Sequence, residues 1–220
     1  MVNKEAYQSI IDELKTTGTK LVAVSKTKPV EDILELYQLG QREFGENYVQ
    51  ELLDKKGHLP DDILWHFIGH LQSNKVKQLI PFIHLIHGVD SYKLLEEINK
   101  QALKYGRVMD CLLQVHIAEE ETKFGFDELE LSYLFEEQLH ELKNIRIIGL
   151  MGMSTLTDDT YKVRYEFAKL KSLFNKYSHF KAINFKLSVI SMGMSGDYRL
   201  AIEEGSTMVR IGSLLFGKRG

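Results

Sequence analysis

Along this chain a short apolar stretch is followed, again and again, by a stretch with helical spacing, and this alternation constrains the fold more than any motif. Strand-like runs lie near residues 21, 43, 65, 84, 110, 146, 187 and 208, with helix signals between successive ones. The spacing predicts helices over 31–39, 48–56, 74–80, 91–105, 127–140, 159–177 and 196–204. In the longest of them Val163, Phe167, Leu170 and Phe174 fall on one face. Strict alternation predicts a parallel sheet with crossover helices. Eight such units predict closure into an α/β (β/α)8 TIM barrel, although 220 residues is near the lower limit for that fold. An open doubly wound sheet is the alternative, but no Gly-rich dinucleotide fingerprint follows the first strand. The chain stops soon after the eighth strand, so the last helix is expected to be a turn or two. Tyr7, Ile10, Ile11 and Leu14 predict an additional amphipathic helix at the start.

Composition narrows the function classes. Three prolines and the absence of a Pro/Gly/Ser-rich linker predict a single domain over 1–220. A net charge of −3, from 28 basic and 31 acidic residues interspersed, argues against binding nucleic acid by phosphate neutralisation. Cys111 is the sole cysteine, so no intramolecular disulfide forms and a reducing cytoplasm fits. Met1 to Glu5 lack the apolar core of a signal peptide, and no run approaches the length of a membrane span.

In a barrel, residues at the strand C-terminal ends meet at one mouth. Strand one brings Lys26 and Lys28, strand two Glu46 and Asn47, and strand three His66, Gly69 and His70. Strand seven brings Ser191-Met192-Gly193-Met194-Ser195-Gly196, and strand eight Arg210-Ile211-Gly212-Ser213. These last two are small-residue loops entering helices, where backbone N–H groups and hydroxyls hold oxyanions. They are also the usual phosphate site of the fold. A lysine at the mouth of a buried strand either snorkels to solvent or does chemistry such as Schiff-base formation. A lysine facing a phosphate cradle fits a phosphorylated aldehyde, pyridoxal 5′-phosphate (PLP). The residues alone leave Lys26 and Lys28 both open for that role.

Six segments then resemble the pyridoxal phosphate homeostasis protein family, relatives of the N-terminal barrel of alanine racemase (PLP fold type III). They are Val24-Ser25-Lys26-Thr27-Lys28-Pro29, residues 44–51, residues 65–75, Gly149-Leu150-Met151, residues 187–195 and residues 205–212. They span nearly the whole chain in the family's order. The resemblance implies that Lys26, rather than Lys28, holds PLP as a Schiff base, with Asn47 beside the ring. It implies that Ser191, Ser195, Gly212 and Ser213 surround the phosphate and that Arg210 faces the pyridine nitrogen. An arginine there disfavours a protonated ring and weakens it as an electron sink. The implied function is to bind PLP in the cell and buffer or deliver it, with PLP-dependent apoenzymes as recipients.

Two other function classes compete. A PLP-dependent amino-acid racemase needs a base on each face of the substrate carbon. In alanine racemase the second base is a tyrosine, on an additional β domain of the partner subunit, for which this sequence has no counterpart. A non-enzymatic monomer is therefore expected. A metal enzyme would rest on His66/His70 and His84/His87, but no carboxylate pair accompanies them at ligand spacing, so hydrogen-bonded core or surface histidines are expected. Trp65 is expected in the core and Cys111 as an inert buried thiol. Met151, Met153, Met192 and Met194 either line the cofactor or fill the barrel. Lys123 belongs to a loop in which a solvated lysine is the simpler expectation.

Overall fold

The computed structural model describes residues 2–120, 124–180 and 182–217. Its strands are β1 (Lys20–Val24), β2 (Glu43–Glu46), β3 (Leu64–Phe67), β4 (Leu85–Val89), β5 (Met109–Gln114), β6 (Ile145–Met151), β7 (Phe185–Ser191) and β8 (Met208–Ile211). All pair in parallel, each with its sequence neighbour, and β1 pairs with β8 to close the barrel. The helices are α1 (Lys4–Thr17), α2 (Val30–Gln38), α3 (Val49–Lys56), α4 (Val76–Leu79), α5 (Tyr92–Lys104), α6 (Glu128–Tyr133), α7 (Thr160–Tyr177), α8 (Tyr198–Glu203) and α9 (Ser213–Phe216). The expected (β/α)8 barrel and the extra opening helix are both present, and α9 is a single turn.

Two apolar layers follow from the period-two alternation of the strands. Leu21 and Ala23 of β1 face outward into the layer between strands and helices, with Phe44, Phe67, Ile86 and Phe167. Val22 faces inward, where Leu85, Leu112, Met151 and Met208 fill the barrel. The β6 register shifts between Ile147 and Gly149 where it meets β7. A Cβ on Gly149 would lie 2.0 Å from Val189 O, so only glycine permits that approach.

Three spans differ from the sequence expectation. The helix expected over 127–140 is α only to Tyr133; a π-helical turn, Leu134–Gln138, and a 3₁₀ turn, Leu139–Glu141, complete it. The strand expected within 82–89 starts at Leu85, because Phe82 and Ile83 donate their N–H groups to Leu79 O and close α4. The helix expected from Gly196 starts at Tyr198.

Candidate functional site

Lys26 lies just past β1, in a turn closed by Lys28 N–H donating to Ser25 O (3.0 Å). Thr27 is left-handed, with φ 63°. Such a backbone is costly for a β-branched residue and persists only where its surroundings dictate it. Here a buried ionic cluster does so. Lys55 Nζ of α3 donates to Ser25 O (2.8 Å), Glu46 Oε1 (2.8 Å) and Glu51 Oε1 (2.6 Å). Glu51 Oε1 also accepts the Thr27 N–H, and Ser25 Oγ donates to Glu46 Oε1 (2.7 Å). Glu46, grouped with the mouth in the sequence reading, is instead fully buried beneath this turn. Sequence reasoning missed Lys55 and Glu51; their i,i+4 spacing on a helix was the available signal.

Asn47 follows β2, and Gly69 sits against it: a Cβ on Gly69 would lie 2.5 Å from Asn47 O. Asn47 Oδ1 is buried and has no hydrogen-bond partner among the described residues. An orphaned buried acceptor marks a place where a ligand donor belongs. Arg210 is 4% exposed and donates to Ser191 O (2.8 Å), Ser191 Oγ (2.7 Å) and Gly152 O (3.1 Å). Burial pulls its guanidinium down to about 10, with Asp197 opposing, so it stays charged at neutral pH. Ser191, expected at the phosphate, is fully buried and does not line the cavity. Its position on β7 aims it into the barrel, and both its oxygens serve Arg210.

The two small-residue loops meet. Gly212 N–H donates to Ser195 Oγ (3.2 Å), and a Cβ on Gly212 would come within 3.1 Å of Val24 O. Asp197, which sequence reasoning did not single out, pins loop seven. It accepts from Met194 N–H (2.6 Å) and Ser154 Oγ (2.8 Å), so the Met194 N–H is engaged within the protein. A cavity of about 260 Å³ is lined by Lys26, Lys28, Asn47, Ser195, Arg210, Gly212 and Ser213, with Ile68, Met153 and Met194 as apolar walls. Six of the seven expected site residues therefore come together. The methionines divide: Met153 and Met194 line the cavity, while Met151 and Met192 are buried in the core.

The remaining candidates resolve by burial. His66 and His87 are fully buried and bond each other, Nδ1 to Nε2, at 2.9 Å. His70 pairs with Asp90 at 2.8 Å and stacks on Phe124. Among the described residues no group of three or more His, Cys, Asp or Glu is placed to hold a metal. Trp65 is core, and burial pushes the Cys111 thiol up. Lys123 lies outside the described residues. No helix among the described residues is long and apolar enough to cross a membrane.

The sequence model of the alanine racemase N-terminal domain family matches residues 2–220. A pyridoxal phosphate homeostasis protein of Aquifex aeolicus is 46% identical over 201 residues, covering 91% of this chain and 87% of that protein. The chain belongs to the pyridoxal phosphate homeostasis protein family. A solved structure, PipY of Synechococcus elongatus PCC7942 with PLP bound, superposes with a TM-score of 0.88 at 36% identity. That match covers 97% of this chain and 99% of PipY. An alanine racemase of Clostridium difficile shares the fold alone, with a TM-score of 0.76 at 15% identity, over 99% of this chain and 58% of the racemase.

Proposed function

We propose that the protein is a cytoplasmic, monomeric PLP carrier, one PLP-binding barrel over 1–220, that holds the cofactor on Lys26 and buffers or delivers it to PLP-dependent apoenzymes. The observation that carries this reading is the convergence of an amine, a guanidinium and two small-residue loops on one cavity of about 260 Å³. The donor set fits the cofactor. When bound, PLP supplies an aldehyde that condenses with an amine to a Schiff base. Lys26 provides that amine, on a turn held rigid by Lys55 and Glu51. Ser195, Gly212 and Ser213 would hold the phosphate, and the Asn47 side-chain oxygen, otherwise without a partner among the described residues, would accept from the ligand. Arg210 would face the ring nitrogen. Fixed by Ser191 and Gly152 and charged at neutral pH, it would keep a proton off that nitrogen. Carbanion chemistry is then poorly supported, which favours a carrier over a racemase.

Adding PLP to purified protein tests the reading. The wild type is expected to turn yellow and melt at a higher temperature, since a ligand bound only by the native state stabilises it. Lys26→Ala is expected to lose the colour while melting, without PLP, as the wild type does. A colourless wild type, or a Lys26→Ala variant as yellow as the wild type, would overturn it. Enantiomer exchange of an amino acid by the loaded protein, abolished in Lys26→Ala, would replace the carrier reading with a racemase.

A further inference from the structure

A line of buried polar side chains runs through the middle of the barrel from mouth to floor. Arg210 Nη1 donates to Ser191 Oγ (2.7 Å), which lies 3.1 Å from His87 Nδ1. His87 Nε2 is 2.9 Å from His66 Nδ1, and His66 Nε2 is 3.4 Å from Glu43 Oε2. Glu43 Oε1 in turn pairs with Lys20 Nζ at 3.1 Å, where the strands begin. His66, His87 and Ser191 have no solvent exposure.

The direction of every bond follows from the Glu43 end. Burial opposes its charge, but His66 and Lys20 hold the Glu43 carboxyl below its ordinary value, so at pH 7 it is ionised and only accepts. Burial holds both imidazoles below their ordinary value, so each is neutral at pH 7 with one donor and one acceptor. His66 therefore carries its proton on Nε2, aimed at Glu43, and accepts on Nδ1. His87 donates to it from Nε2 and accepts on Nδ1, so the Ser191 hydrogen goes to His87 while Ser191 Oγ accepts from Arg210. The last link, at 3.4 Å, is longer than a well-formed bond, and neither of its atoms has a hydrogen-bond partner among the described residues. Four polar groups in a barrel otherwise filled by Leu85, Leu112, Met151 and Met208 are costly to keep there.

We propose that His87 and His66 are positioning residues for Arg210. Together with Ser191 they form a one-way hydrogen-bond chain along the barrel, which holds the guanidinium at the mouth and ties its charge to Glu43 at the floor. The inference rests on the PLP reading above, because it gives Arg210 the ring nitrogen to serve. An apolar residue at position 87 leaves the Ser191 hydroxyl without its acceptor and frees it to turn away from Arg210.

The test compares wild type, His87→Leu and His87→Gln, each with and without PLP. Glutamine can accept from Ser191 and donate to His66, so it conserves the chain. His87→Leu is expected to keep its colour, bind PLP about tenfold more weakly and absorb at a shifted wavelength. His87→Gln is expected to stay within about threefold of wild type, with the wild-type band. Nitrogen NMR of the wild type without PLP reads the chain directly: both rings should be protonated on Nε2. A folded His87→Leu with wild-type affinity and band overturns this proposal and leaves the carrier reading standing. A proton on His87 Nδ1 does the same, and decides the matter if His87→Leu fails to fold. A wild type that does not take up PLP overturns both.

Discussion

Lys26 shows how little a single residue says by itself. In sequence it is a lysine one residue past four apolar ones, for which snorkelling to solvent is the simpler expectation and chemistry the rarer one. What specifies it is the turn beneath, and that turn depends on Lys55, which is 7% exposed and shares its charge between Glu46 and Glu51. Removing one partner of a buried pair leaves the other uncompensated. Lys55→Met is therefore expected to destabilise the protein by roughly 3–5 kcal/mol in urea unfolding. The double variant Lys55→Met/Glu46→Gln should recover part of that loss, because it removes the stranded carboxylate as well. A Lys55→Met cost below about 1 kcal/mol would mean the cluster is incidental. The i,i+4 spacing of Glu51 and Lys55 was legible beforehand. Their reach back to Ser25 and Thr27 was not, since it spans more than twenty residues of chain.

At the scale of elements, the extra opening helix is the least obvious part of the barrel. Its apolar face, with Tyr7, Ile10 and Leu14, was readable from spacing alone. Where it docks was not. Asn3 N–H donates to Leu215 O of α9, and Glu13 binds Arg199 (3.0 Å) and Tyr198 (2.9 Å) of α8. Thus α1 abuts the two helices that follow the small-residue loops. Hydrogen bonds from Arg199 hold the Glu13 carboxyl below its ordinary value of 4.5, against a smaller effect of burial. A depressed carboxylate stabilises the fold above its unfolded value and loses that contribution as pH falls through the folded one. Glu13→Gln is accordingly expected to cost about 0.5–1 kcal/mol near pH 7 and nothing once the wild-type carboxyl is protonated. Added salt should shrink the difference, and a salt-independent loss would point to packing instead.

For the whole molecule, the buried histidines dominate the response to mild acid. Burial lowers His66 and His87 in the folded state, so below the unfolded value of 6.5 the unfolded chain binds protons that the native state refuses. Their sign is that of a depressed base: stability is fully present above that value and is lost as pH falls below it. Each histidine contributes a loss of at most about 1.4 kcal/mol per pH unit, measured as the fall in unfolding free energy between pH 7 and 5. A flat profile across that range would show that the two rings take up protons in the native state as readily as in the unfolded chain.

The sequence by itself determined the architecture. Period-two and helical spacing are local properties, and eight of their alternations leave a closed parallel barrel as the economical way to bury every strand. It also determined which segments reach the mouth, because strand ends are local too. Only the tertiary structure decided which side chains at those ends face the cavity. Ser191, Glu46 and Met192 stand beside cavity residues in sequence yet point into the core. The inward or outward turn of each is set by register and bulges across neighbouring strands, which no single segment encodes. The same holds for the line from Arg210 to Glu43, whose members come from β8, β7, β4, β3 and β2 and meet only because the sheet closes.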